Sequence, residues 1–104
     1  PVFVDAARGL AGRMVADGGQ ETDQRIEHGF RLCVGRVPHT EEIAGVRKLY
    51  NQAIASYRAD TKAAAELSNT GTLASQKNIG HDELAAWILV ANTLLNLDET
   101  ITRE

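Results

Sequence analysis

Apolar residues recur along this chain with the spacing of α-helices. In the first stretch they are mostly three or four positions apart, which places them on one side of a helix. The members of this first stripe are Phe3, Ala7, Leu10, Ala11 and Met14. Similar stripes occupy residues 26–34 and 43–57, and no stretch alternates between apolar and polar residues as a half-buried strand would. The pattern therefore predicts an all-α fold.

Turn residues divide the pattern into about four helices. Gly18 and Gly19 end the first helix, whereas Gly35 and Pro38 separate the second from the third. The predicted small bundle has helices at about 2–17, 22–35, 40–60 and 82–97, with a long Ser-, Asn- and Gly-rich loop at about 68–81. Residues 61–67 either extend the third helix or form a short extra turn.

Local chemistry refines two of these boundaries. Thr22 is the predicted N-cap of the second helix because its hydroxyl can accept a hydrogen bond from an unpaired backbone N–H. Gly29 and Gly45 lie inside predicted helices, where each costs about 1 kcal/mol relative to Ala. These glycines indicate either a close approach between helices or simple tolerance.

The last predicted helix differs from the others because it is apolar on both sides. One side carries Leu84, Trp87, Ile88, Ala91, Leu94 and Leu95. The other side carries Leu89, Val90 and Leu97. Such a helix is enclosed either by its own fold or by a partner. We expect Trp87 to belong to the core, and the alternative is a surface that another domain buries.

Composition and charge narrow the classes of function. The 104 residues suffice for one domain, 1–104, and the net charge of −3 offers no basic surface for nucleic acid or an anionic membrane. No apolar run reaches the roughly 18 residues of a membrane-spanning helix. Because the chain begins with Pro1 rather than Met, we expect it to be a fragment of the C-terminal region of a longer protein.

The sequence contains no recognised catalytic, cofactor-binding or metal-binding motif. The three histidines and the single cysteine, Cys33, lack the paired spacing of metal ligands. We expect Cys33 to be a small buried apolar residue and the histidines to face solvent or cap helices. The acidic pair Asp82 and Glu83 lies at a helix start, where the helix dipole favours negative charge. No catalytic residue, cofactor or metal is predicted.

Two groups of polar residues remain as candidates. The first is a structural turn made of Arg36, Pro38, Glu41 and Glu42, in which the guanidinium is expected to clasp a carboxylate across residues 37–40. The second follows the apolar helix and consists of Asn96, Asp98, Glu99 and Arg103. These four either hold the end of the chain in place or face something outside it.

Two segments, FRLCVGRVPHTEEI and ELAAWILVANTLLNLDETITRE, resemble the carboxy-terminal planctomycete-specific domain of unknown function. In the first segment the matching positions are Phe30, Arg31, Leu32, Gly35, Arg36, Pro38, Glu41 and Glu42. In the second they are Glu83, Leu84, Trp87, Leu94, Leu95, Asn96, Leu97, Asp98, Glu99, Ile101, Thr102 and Arg103. The resemblance implies a large, exported or cell-envelope-associated parent protein, often with a cytochrome c-type domain that would carry any haem. It implies no catalytic residue.

These features favour one function and leave alternatives open. The leading hypothesis is a non-enzymatic helical structural or interaction module that packs on upstream domains of the same protein or on another protein. The alternative is that Asn96, Asp98, Glu99 and Arg103 contribute to an active site completed by upstream domains, for example one that hydrolyses polysaccharide. A docking role towards a haem domain rests on the family resemblance alone, and the oligomeric state stays open.

Overall fold

The computed structural model describes residues 4–68 and 79–102, with side chains described for residues 5–68 and 79–97. Within these ranges the chain forms five α-helices and no strands. The helices are α1 (Val4–Asp17), α2 (Thr22–Val34), α3 (Thr40–Ala59), α4 (Thr61–Ser68) and α5 (His81–Thr102). The predicted all-α class is confirmed, but the predicted count of four helices is too low by one.

The additional helix, α4, exists because Asp60 ends one helix and begins the next. Its backbone leaves the helical region, with φ −128° and ψ 79°, while its N–H still donates to the Ser56 carbonyl at 3.0 Å. The Asp60 carboxylate then accepts a hydrogen bond from the Ala63 N–H at 3.1 Å, as an N-cap side chain does. Residues 61–68 therefore form a separate helix rather than an extension of α3.

The predicted long loop is shorter at both ends. Ser68 is the last residue of α4 and His81 the first of α5, and the Ser68 Oγ lies 2.7 Å from the His81 Nδ1. Because this contact joins the two helix ends, it holds them close together. Residues 69–78, which make up most of the predicted loop, lie outside the described residues.

Helix α5 is longer than predicted, since it continues past Leu97 to Thr102. The sequence change from apolar to polar at this point suggested a helix end, but it contains neither Gly nor Pro. Polarity alone does not break a helix; it changes only what the helix can pack against. The predicted end of this helix at about residue 97 is therefore five residues too early.

The centre of the fold is α5, which packs against all four of the other helices. Eight of its eleven residues from Leu84 to Leu94 are buried, and Trp87 is completely so. On the apolar second side of this helix Val90 is buried, and Leu89 and Leu97 are half-buried against the core, so the domain itself covers most of that side. The prediction that Trp87 is a core residue is confirmed.

Helix α2 lies within one residue of its predicted bounds, but its N-cap is one residue earlier than expected. Glu21, not Thr22, is the N-cap, with extended backbone angles and an N–H that donates to the Gln24 side chain at 3.4 Å. At the other end Gly35 adopts φ 85°, a left-handed conformation that glycine tolerates best, and its N–H donates to the Arg31 carbonyl at 3.1 Å.

Candidate functional site

The turn between α2 and α3 is held by a bidentate ion pair. The two terminal nitrogens of Arg36 donate to the two carboxylate oxygens of Glu42 at 2.9 and 2.8 Å. The His39 N–H donates to the same carboxylate at 2.7 Å, and Pro38 is buried beneath the turn. The expected clasp across residues 37–40 therefore uses Glu42, while Glu41 is exposed and lies outside it.

This geometry shifts the acidity of both partners. The hydrogen bond from Arg36, together with that from the His39 N–H, lowers the pKa of Glu42 from 4.5 to about 2. The reciprocal hydrogen bond to Glu42 raises the pKa of Arg36. Both groups are therefore charged at every pH at which a typical domain is folded, which suits a structural pair better than a proton-transfer site.

Replacing Glu42 by Gln will lower the melting temperature near neutral pH and remove part of the acid sensitivity of the fold. Because the folded-state pKa of Glu42 is depressed, its stabilising effect is complete above pH 4.5 and is lost as the pH falls towards 2. The difference in melting temperature between native protein and variant should therefore shrink across this window, as measured by circular dichroism.

Glu41→Gln is the matched control because it removes the same charge from the same first turn of α3. We expect Glu41→Gln to lower the melting temperature less than Glu42→Gln does. Its difference in melting temperature from the native protein should not shrink comparably as the pH falls. Equal effects of the two substitutions would show that the helix dipole, rather than the clasp with Arg36, accounts for the stabilisation.

Of the four polar residues near the end of the chain, the structure describes the side chain of Asn96. Asn96 is half-buried on α5, and its amide donates to the Asn92 carbonyl at 2.9 Å within the same helix. Positions 98 and 99 belong to the same helix, which places positions 96 and 98 about 200° apart around its axis. The side chains of Asp98 and Glu99, and the whole of Arg103, lie outside the described residues.

A cluster of ion pairs surrounds the amino end of α5. Arg25 of α2 approaches Glu83 at 3.5 Å, and Arg58 of α3 approaches Asp82 at 3.1 Å. Burial acts to raise the pKa of Asp82, but hydrogen bonds from the Glu83 N–H and from Arg58 outweigh it and leave that pKa lowered. Sequence reasoning explained both carboxylates by the helix dipole and missed their partners, which lie more than twenty positions away.

Two aromatic rings lie beside this cluster in the core. The rings of Tyr50 and Trp87 are 4.3 Å apart between centroids, and the Arg25 guanidinium lies 5.9 Å from the centroid of the Trp87 ring. Burial, aided by the negative charge of Glu83, raises the pKa of Tyr50 to about 12. Tyr50 is thus neutral under ordinary conditions, and the cluster joins α2, α3 and α5 rather than presenting a reactive group.

The histidines and the cysteine occupy separate places. No group of three or more His, Cys, Asp or Glu residues within the described ranges could hold a metal ion. His39 and His81 are exposed at helix starts, whereas His28 is half-buried. Cys33 is half-buried rather than fully buried as expected, and its thiol donates to the Leu94 carbonyl at 3.3 Å.

Cys33 lies at the bottom of an apolar groove between α1, α2 and α5. The groove has a volume of about 330 Å³. Its walls include Ala6, Leu10, Arg13, Leu32, Cys33 and Leu95. Leu32, at one wall, is 46% exposed.

The groove continues across Leu32 into a second hollow beside the α2–α3 turn. The hollow is lined by His28, Arg31, Leu32, Gly35, Arg36 and Val37. Leu32 and Val37, the latter 58% exposed, are the large hydrophobic side chains that the described part of the chain leaves open to solvent. We call the groove and the hollow together the Leu32 surface.

Sequence reasoning did not single out the Leu32 surface. A signal was present, because Leu32 is a large apolar residue off the buried stripe of α2, which runs through Ile26, Phe30 and Cys33. Val37 is likewise an apolar residue in a polar turn. Single exposed apolar residues are common, however, so only their adjacency in space makes them a candidate site.

The comparisons with known proteins do not assign this chain to a family. No protein-family model, curated protein or solved structure matches it. The resemblance to the planctomycete domain therefore stays a prediction. Among the helices of the described ranges, none combines the length and apolar character needed to cross a membrane.

Proposed function

We propose that this chain is a non-enzymatic helical interaction module that binds a helical segment of an upstream domain or of another protein through the Leu32 surface. The observation that carries the proposal is the adjacency of Leu32 and Val37, both about half exposed, to an open apolar groove. A contiguous apolar surface on an otherwise polar exterior is typical of a binding site.

Helix α5 is central to the fold and contributes Leu95 to the wall of the docking surface. Its all-round apolar character first suggested a partner, but the other four helices supply its covering. The exposed apolar residues lie instead at the carboxyl end of α2 and in the following turn. The clasp between Arg36 and Glu42 fixes that turn and so keeps Val37 beside Leu32.

The acid–base properties of Glu42 and Asp82 support a structural role for these two carboxylates. Glu42 and Asp82 both have lowered pKa values and accept hydrogen bonds from arginines. A general acid at neutral pH requires a raised pKa instead. The proposal therefore does not include a reaction.

The energetics favour a modest interface. Complete burial of a Leu or Val side chain contributes about 1.5–3 kcal/mol, and about half of that remains available at Leu32 and Val37. Each residue should thus contribute about 1 kcal/mol to binding, and the groove adds further contact. Small apolar surfaces of this kind suit transient or intramolecular docking.

Leu32→Ser combined with Val37→Ser will weaken binding of a neutral amphipathic helical peptide, with Leu at helical spacing and Gln elsewhere, by about tenfold or more. Nuclear magnetic resonance titration of the ¹⁵N-labelled protein measures both affinity and location. The native protein should show shifts confined to residues 6–13, 28–37 and 95.

The control is Ala44→Ser combined with Ala55→Ser on the exposed side of α3, which introduces the same two hydroxyls elsewhere. It should leave the affinity unchanged. Shifts spread evenly over the protein, or an equal loss in both double variants, would contradict the proposed docking surface.

A further inference from the structure

The charged side chains that line the Leu32 surface are all basic. Arg13 lies at the groove, and Arg31 and Arg36 line the hollow, whereas no Asp or Glu lines either. The whole chain has 14 acidic and 11 basic residues. The sign of charge around this apolar surface is therefore opposite to that of the chain as a whole.

Two of these basic groups are available to a partner. Arg36 is engaged by Glu42 and lies 5.0 Å from the centroid of the Phe30 ring. Arg13 and Arg31 are exposed, and neither guanidinium forms an ion pair with any described residue. They lie on either side of the exposed Leu32, one lining the groove and the other the hollow.

The basic region has a limit on one side. Beyond His28 and Arg31 the neighbouring hollow is lined by Asp17 and Glu27 as well. Negative charge on a partner would be repelled there and attracted over the groove. The complementary charge pattern thus favours a partner that lies along the groove from Arg31 towards Arg13.

We infer that the occupant of the Leu32 surface is an acidic amphipathic helical segment of another polypeptide. Its apolar side chains, spaced three or four residues apart, would cover Leu32, Val37 and the groove, while flanking Asp or Glu residues reach Arg13 and Arg31. An inorganic anion would satisfy the arginines but leave the apolar surface in water. This inference rests on the proposed function and specifies the chemistry of its partner.

Exposed charge pairs at the rim of an interface act mainly on the association rate and on the salt dependence of binding. Each such pair contributes about 0.2–1 kcal/mol, which corresponds to about a 1.4- to fivefold change in affinity. Two pairs should therefore give the acidic partner an advantage of about tenfold over a neutral one at low salt. Added salt should remove most of it, because screening shortens the range of these interactions to a few ångströms at about 1 M.

Three synthetic peptides with the same Leu face test the inference. Their remaining positions are Glu, Gln or Lys, and their affinities for the intact chain are measured by calorimetry and by resonance titration at low and high salt. We expect the Glu peptide to bind most tightly, the Lys peptide most weakly, and the three to converge at high salt.

Charge reversal of the two available arginines provides the matched test in the protein. Arg13→Glu combined with Arg31→Glu should weaken the Glu peptide about tenfold and strengthen the Lys peptide. Lys48→Glu combined with Lys62→Glu changes the net charge equally, on α3 and α4. This control should leave both affinities within about twofold, since these sites lie away from the groove and exposed charges are screened with distance.

The outcomes separate the inference from the proposed function. If the Glu and Lys peptides bind the Leu32 surface equally, the inferred acidic partner is wrong while the docking surface stands. If no peptide binds, both fail. If the chain self-associates in sedimentation experiments and the peptide shifts coincide with that interface, the occupant is a second copy and the inference is overturned.

Discussion

Replacing Trp87 by Ala will lower the free energy of unfolding by about 3–5 kcal/mol, the usual cost of removing a large buried aromatic side chain. Trp87 is completely buried in the central helix and stacks against Tyr50 at 4.3 Å. Because domains of this size are stable by only about 5–15 kcal/mol, the substitution should remove a large part of the free energy of unfolding. Chemical denaturation followed by circular dichroism measures the loss.

Two control variants test whether that loss comes from the burial of the Trp87 side chain. Leu32→Ala truncates an exposed apolar side chain and should cost less than about 1 kcal/mol. Trp87→Phe keeps much of the ring volume and removes the indole N–H, which is buried and has no hydrogen-bond partner among the described residues. It should therefore cost less than Trp87→Ala. If Trp87→Ala were as mild as Leu32→Ala, the other helices would not enclose α5.

Replacing Gly29 by Ala will destabilise the domain by about 1–3 kcal/mol, although alanine is the better helix former. A methyl group at this position would lie 2.6 Å from the Met14 sulfur, so the Met14 side chain would have to move. Met14 is completely buried, which leaves it little space in which to do so. The same denaturation experiment measures this loss. The slope of the free energy of unfolding against denaturant concentration should be unchanged, which shows that the two proteins expose the same surface on unfolding.

Gly45→Ala is the matched control because it makes the same change in the middle of α3. A methyl group there would meet no atom within 4 Å, and the position is exposed. We expect this variant to be more stable by about 0.5–1 kcal/mol. If both alanine variants gained stability, the approach of α1 and α2 would be looser than the contact of Gly29 with Met14 implies.

These opposite expectations show what a local pattern can and cannot predict. Both glycines lie within helical stripes, and sequence reasoning left close approach and tolerance as alternatives for each. The structure assigns close approach to Gly29 and tolerance to Gly45. The difference depends on which helix passes nearby, and no residue adjacent in sequence carries that information.

The same division applies to the candidate sites. The clasp between Arg36 and Glu42 joins residues six positions apart across a turn whose Gly and Pro are visible in the sequence, so it could be expected. The pair of Arg25 with Glu83 joins residues that are 58 positions apart on two different helices, and nothing in the sequence indicated it. The polar group Asn96, Asp98, Glu99 and Arg103 was defined by closeness in sequence, and of these side chains the structure describes that of Asn96.

By itself the sequence determined the helical class of this protein and most of its helix boundaries, because periodicity and capping chemistry act within a few residues. Asp60 marks the limit of that reasoning, since whether one acidic residue continues a helix or caps the next depends on how the two helices pack. Only the tertiary structure decided that α5 is enclosed by its own domain and that Leu32 and Val37 are not. Burial is a property of all five helices together, and it singles out the groove between α1, α2 and α5 as a candidate site.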